Sequence, residues 1–277
     1  MTTEPVGPVI VGVDGGRTSL AAVDLAAEEA LARVTPLLVL HAHGGEPRQP
    51  DSRMLGVGRV LEVAAARARS EHPGLSVATD LVSAHPVDAL LRCSGSASLI
   101  VVGHAGGVQD GRSVAARVAA GAGRPVLVYR PLAAEVSEPL SRPVLVGLAG
   151  AIGADSLVEF AFAEAALRGA PLLALHAWSE PADRYPTGFG PDGYHGQLAR
   201  EGAERLLSGS LSAWADKYPE VAVRHAVRHC LDVGVALTAA SRSAQLVVVG
   251  QPHTVAGSVF SVLLHRAGCP VVVVPAG

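Results

Sequence analysis

The strongest constraint on this chain is a strand–loop–helix–strand unit that occurs twice. LIVVGHAGGVQDGRSVAARVAAGAGRPVLVYR (residues 99–130) and LVVVGQPHTVAGSVFSVLLHRAGCPVVVVPAG (residues 246–277) share an order: an apolar run, a glycine-punctuated loop, a serine, a short helical stretch, then Pro and a valine-rich run. Ser113 lies twelve residues before Pro125, and Ser258 lies twelve before Pro270, so helix and closing strand repeat in register 145 positions apart. Serine before a helix is a good N-cap, because its hydroxyl accepts from a backbone N–H that the helix leaves unpaired. A helix N-terminus that follows a strand also presents a positive dipole end, which suits an anion such as phosphate.

Upstream of each unit the match continues at a different offset. Gly12 aligns with Gly147 and His41 with His176, both 135 positions apart, so the second half carries its extra length after its second strand. A duplicated chain of 277 residues is long for one core and comfortable for two α/β domains of roughly 130–150 residues. We read 1–130 as the first domain, 131–142 (Pro-containing, mixed charge) as a linker and 143–277 as the second domain.

Within the first half, the continuous apolar run at 9–13 has the pattern of a parallel strand covered on both faces. A helix is expected over 18–33, with Leu20, Val23, Ala26, Ala27 and Ala30 on one side. Strands follow at 37–42, 75–82 and 99–102, and helices at 59–71 and 87–94. The segment HGGEPRQPDSRMLGVG reads as a polar connection. In the second half, strands at 221–227 and 246–249 and helices at 197–217 and 234–242 repeat the scheme. Strict strand–helix alternation with short connections implies right-handed crossovers and a parallel sheet between two helical layers. The expected fold class is α/β, with two tandem α/β/α sandwich domains, each on a five-stranded parallel sheet.

Composition narrows function mainly by exclusion. The formal net charge is −3, which gives no reason to expect nucleic acid or an anionic membrane as partner. No apolar run approaches a membrane span and the N-terminus lacks a signal-peptide pattern. Three cysteines, Cys93, Cys230 and Cys269, have no framework spacing, so a cytoplasmic location is expected. A P-loop lysine motif, a GxGxxG after a strand, a GxSxG elbow and an HExxH pair are all missing. His41 with His43, and His225 with His229 and Cys230, are the histidine groupings a metal could use; core or surface histidines account for them more simply. Tyr185, Phe189 and Tyr194 sit in or beside a Pro/Gly-rich stretch, 179–196, that reads as an ordered loop, a lid or a subunit contact.

An open parallel sheet binds ligands beyond the carboxyl ends of its strands. In the first half those positions are Asp14 to Gly16, Ala42 with His43, and the loop from Gly103 to Ser113. In the second they are Ala149 with Gly150, Ala177 with Trp178, and the loop from Gly250 to Ser258. Glycines there either turn the chain or let a ligand approach the backbone. Asp14 has no partner nucleophile, so hydrogen bonding to a ribose or a turn suits it better than base catalysis.

Taken together, VIVGVDGG, LLVLHAH with LLALHAW, LIVVGHAGG with LVVVGQPH, and S-V before GRPVLVY and GCPVVVV resemble the tandem-type universal stress proteins over nearly the whole chain. That resemblance implies a Rossmann-like sandwich that pairs through the edge of its last strand. One branch of the family holds ATP through Gly, two residues, Gly, nine residues, Gly and then Ser or Thr. Carried over, it implies that Asp14 contacts ribose or phosphate, that the Ala42 backbone meets adenine, and that Gly103, Gly106 and Ser113 hold phosphates. Gly250, Gly257, Ser258 and Val259 are the counterparts in the second half. The chain departs from the pattern at both loops. Six residues, 107–112, precede Ser113, and Arg112 replaces the last Gly. In the second half Ala149 stands at the Asp position, His253 replaces the second Gly, and three residues separate it from Gly257. Shorter loops offer fewer N–H donors, for which the Arg112 guanidinium can compensate as a phosphate partner.

The expectation is therefore a regulatory or binding module, not an enzyme, that takes ATP or AMP chiefly in the first half, with Mg2+ only alongside ATP. The alternative is a ligand-free stress-response scaffold that acts through an unknown protein partner; an ATPase is the third reading. Two like domains in one chain are expected to form an intrachain pseudo-dimer with PVLVY and PVVVV as the seam, and a homodimer would use a further surface.

Overall fold

The computed structural model describes residues 7–44, 50–106, 113–131, 142–148, 155–178, 194–252 and 258–276. The chain forms two compact units, with the change at Pro131/Leu132. The first unit runs β1 (Val9–Gly12), α1 (Arg17–Ala32), β2 (Leu37–Ala42), α2 (Pro50–Glu71), β3 (Val77–Val82), α3 (Pro86–Ser94), β4 (Leu99–Gly103), α4 (Val114–Gly121) and β5 (Val126–Tyr129). Its strands are all parallel, in the order β3-β2-β1-β4-β5. The second unit runs β6 (Val144–Leu148), α5 (Asp155–Leu167), β7 (Leu172–Trp178), α6 (Tyr194–Lys217), β8 (Val223–His229), α7 (Val233–Ser241), β9 (Leu246–Gly250), α8 (Val259–Arg266) and β10 (Val271–Val274). Its parallel order is the same, β8-β7-β6-β9-β10.

Valine and leucine runs make these strands because both faces are covered. In the first unit α1 packs on α2 and α3 on α4; in the second α5 packs on α6 and α7 on α8. Val9, Val11, Leu37, Ile100, Val101 and Leu127 are all at 0–1% exposure. Each such side chain contributes about 1.5–3 kcal/mol through burial. Alanines at 22, 26, 27 and 30 let α1 lie close on the sheet, whereas α5 places Phe162 at the position of Ala27. Phe162 stacks on Tyr218, centroids 5.9 Å apart.

Helix α2 starts at Pro50, not at residue 59 as its apolar spacing suggests. Proline is tolerated in a first helical turn because its missing N–H would have no intrahelical partner there. Gly56 and Gly58 lie inside this helix, with open space where a Cβ would stand. Strand β3 starts two residues later than expected, and so does β8. The 179–193 stretch with Tyr185 and Phe189, and linker residues 132–141, lie outside the described residues.

Both units close their first helix in the same way. Thr35 N–H donates to the Ala30 carbonyl at 2.9 Å and Val34 N–H to Leu31 at 3.0 Å; Ala170 to Ala165 and Gly169 to Ala166 repeat this at 2.9 and 3.1 Å. This is a Schellman C-cap, whose penultimate residue adopts a left-handed backbone. Gly169 does so with φ 57°, and Val34 with φ 53°. One turn earlier, Arg33 bonds the Glu29 carboxylate and Arg168 the Glu164 carboxylate, in largely buried i,i+4 pairs.

Candidate functional site

Within the first unit, the connection after β1 leads away from β4 toward β2, so the loops after these two neighbouring strands diverge. A crevice opens at that point beyond the carboxyl ends. It is a half-open cleft, and only when the solvent space at its mouth is counted does it come to about 530 Å³. Its walls are mainly apolar: Val13, Leu40, Leu90, Val102 and Val114, with Pro86 at the start of α3. Gly12 forms part of the floor because Leu90 packs over it; a Cβ there would stand 3.1 Å from a Leu90 methyl.

The polar end is built by the turn between β1 and α1. Gly15 takes φ 84°, and a Cβ there would meet Val60 of α2 at 3.0 Å, so glycine is required twice over. That turn brings Gly16 N–H to within 2.8 Å of the Asp14 Oδ1 that accepts from it. The Asp14 N–H donates to Ser19 Oγ at 3.4 Å, and the Ser19 hydroxyl donates to the Gly16 carbonyl at 2.9 Å. Partial burial pushes the Asp14 carboxyl up. The nearby Ser19 hydroxyl, the Gly16 N–H, its own N–H and the charge of His41 together outweigh this and hold it below the usual carboxylate range. Asp14 is exposed and faces the crevice as an anion at neutral pH.

His41 is not a ligand in waiting. Its Nδ1 donates to the Val13 carbonyl at 2.7 Å, and His176 Nδ1 does the same to Leu148 at 2.9 Å. A carbonyl accepts only, so the proton sits on Nδ1 in both. Each imidazole clamps a carbonyl to the neighbouring strand, that of Val13 just past β1 and that of Leu148 at the end of β6. Of the second histidine grouping, His225 and His229 lie exposed on β8. No cluster of three His, Cys, Asp or Glu side chains suited to a metal occurs among the described residues.

The remaining expected residues divide by position. Ala42 and Gly103 line the crevice together with Asp14. Gly103 is also needed for packing, since a Cβ there would come 3.0 Å from the Thr18 carbonyl oxygen. Gly106 has φ 76° with open space around it, so its glycine serves the turn. Ser113 caps α4, its Oγ accepting from Ala116 N–H at 3.1 Å, and Ser258 caps α8 in the same way from Ser261 at 3.1 Å. Val259 opens α8, and Gly250 ends β9. Arg112, Ala149, His253 and Gly257 lie outside the described residues. Ser19, Pro86, Leu90 and Val114 were not singled out from sequence. The signal available was the Gly–Gly–x–x–Ser spacing after Asp14 for Ser19, the Pro opening of α3 for Pro86 and Leu90, and the Ser–Val start of α4 for Val114.

The fold defines a class: a tandem, doubly wound α/β protein with Rossmann-like units and a crevice at the strand-order switch of its first unit. The model of the universal stress protein family matches residues 6–130 and again 141–275. A universal stress protein of Mycobacterium tuberculosis is 34% identical over 289 residues, covering 96% of both chains. Another from that species is 31% identical over 291 residues, covering 96% of this chain and 95% of its own. Among solved structures, a universal stress protein from Archaeoglobus fulgidus has the same fold, with a TM-score of 0.73 at 17% identity over 99% of this chain and 100% of its own. The chain belongs to the universal stress protein family. Among the described residues, no helix is long and apolar enough to cross a membrane.

Proposed function

We propose that the protein is a regulatory binding module whose first unit holds an adenine nucleotide, ATP or AMP, in the crevice at the ends of β1, β2 and β4. The observation that carries this reading is an ionised carboxylate, Asp14, at the polar end of an otherwise apolar crevice. A flat, mostly apolar base fits between Leu40, Ala42 and Leu90, where the backbone around Ala42 can meet its polar edge. Ribose hydroxyls donate to Asp14, which accepts only. The start of α4, capped by Ser113, lies beside the crevice through Val114 and offers N–H groups to phosphate. Asp14 is a single carboxylate, too few ligands to retain Mg2+ alone, so the metal enters only on the phosphates of ATP. Among the described residues the lining brings no separate base to a nucleophile, because Ser19 is engaged with the Asp14–Gly16 turn, which favours binding over catalysis.

Isothermal titration of the full chain with AMP, and with ATP plus Mg2+, tests the reading. Saturable binding that is lost in Asp14→Ala supports it. No binding at millimolar concentration of either nucleotide refutes it and favours the protein-partner scaffold. Steady release of phosphate from ATP would move the protein among the enzymes.

A further inference from the structure

The two units share a framework in finer detail than the fold requires. At a constant offset of 135, His41 and His176 clamp the equivalent carbonyls, Glu29–Arg33 and Glu164–Arg168 form the same pair, and Val34 and Gly169 take the same left-handed turn. The same offset carries Asp14 to Ala149, Gly16 to Ala151 and Ser19 to Ala154. Every side chain that makes the polar end of the first crevice is thus replaced by a methyl group, while the surrounding scaffold is kept. The second unit also carries more apolar bulk at this rim. Leu157 stands where the first unit has Ala22, and its Cδ2 lies 3.9 Å from where a Cβ on Gly250 would be.

We propose that Ser19 is the positioning residue for the Asp14 carboxylate, and that this small ring of contacts, intact in the first unit and erased from the second, makes the chain take one polar ligand instead of two. The ring is closed by three bonds: Gly16 N–H to Asp14 Oδ1, Asp14 N–H to Ser19 Oγ and Ser19 Oγ to the Gly16 carbonyl, at 2.8, 3.4 and 2.9 Å. Gly16 N–H holds one oxygen of Asp14 and Ser19 holds the turn that carries it, so the carboxylate stays at the crevice it lines. His41 of β2 is the titratable group whose charge reaches Asp14 from a neighbouring element. In the free chain the ring keeps the carboxylate charged and oriented, so a hydroxyl-bearing ligand meets a ready acceptor. Ala149 can accept no hydrogen bond through its side chain, and Ala154 supplies no hydroxyl in place of Ser19.

The inference rests on the nucleotide reading of the first crevice, and titration of the full chain with AMP separates the two. We expect one site per chain, abolished in Asp14→Ala. Ser19→Ala should bind about tenfold more weakly, because the turn that carries Asp14 loses both bonds that close it, with the stoichiometry still one. Alanine occupies the equivalent position 154 in the second unit, so the fold is expected to accept it. The acid midpoint of binding should rise in Ser19→Ala and return in Ser19→Thr, which restores the hydroxyl. Carbon-detected NMR titration of the Asp14 carboxyl in the ligand-free chain should show the same upward shift. Two sites per chain, with one surviving in Asp14→Ala, would overturn the one-ligand inference and leave the reading of the first crevice standing; a single site that survives Asp14→Ala would overturn both. An unshifted Asp14 titration in Ser19→Ala would overturn the positioning role by itself. No binding of AMP or ATP would overturn the nucleotide reading and the stoichiometry with it.

Discussion

Replacing Val34 by glycine should stabilise the first unit, although it removes a side chain and adds no contact. Val34 sits at the left-handed position of the Schellman cap with φ 53°, and it is 91% exposed, so truncation forfeits almost no buried surface. A left-handed backbone costs an L-residue roughly 1–2 kcal/mol, and a β-branched side chain belongs at the upper end. Glycine relieves this but gives back about 0.5–1 kcal/mol through the extra freedom of the unfolded chain. The net expectation is a gain of about 1 kcal/mol, or roughly 3–5 °C in the midpoint of the first unit's transition. The second unit supplies the reciprocal experiment, because Gly169 already occupies the equivalent turn at φ 57°. Gly169→Val should cost about 1 kcal/mol there by the same reasoning. Urea unfolding followed by circular dichroism, with Val34→Ala as a control of intermediate effect, reads both. If Val34→Gly leaves its midpoint unchanged or lowers it while Gly169→Val is tolerated, the strain assigned to this turn is not present in solution.

Three further outcomes follow from the site and core. Gly103→Ala should destabilise the first unit by about 1–3 kcal/mol and weaken nucleotide binding, because its Cβ would press on the Thr18 carbonyl at 3.0 Å; thermal melting and titration check it. Burial pushes the Cys269 thiol up to about 12, so stability from this group is present in full below the ordinary thiol range and is lost as pH rises toward that value. The same burial, 2% exposure, makes Cys269 unreactive toward a thiol reagent in the native chain and reactive in urea, as mass spectrometry of labelled peptides would show. The Asp14 carboxyl is held below its usual range, so its contribution is present above ordinary carboxylate pH and lost as pH falls through the lowered folded value. Nucleotide binding should therefore persist below the ordinary carboxylate range in the native chain, at any pH where the fold survives, and Asp14→Asn should be weak throughout.

Much of the architecture was legible before any coordinates. The apolar runs that became β1, β2 and β4 read directly, because a strand covered on both faces needs no polar alternation. Ser113 and Ser258 read as caps because a helix N-terminus needs an acceptor, and both supply it. The start of α2 did not read, since glycines at 56 and 58 and the proline at 50 weaken a local helical signal that packing on α1, β2 and β3 overrides. His41 was open to several roles, and only the 2.7 Å contact to Val13, 28 positions away in the chain, shows it to be a clamp.

What the amino-acid order determined by itself was the duplication, the α/β alternation and the rim of the sheet on which a site would lie, all of which depend on periodicities of a few residues. What only the tertiary structure decided was which side chains meet at that rim. Leu90 over Gly12, Thr18 against Gly103 and Ser19 closing on the Asp14 turn are contacts set by how helices settle on a twisted sheet. Local sequence records the residue types available for such contacts, but the distances between them are fixed only when the whole core is packed.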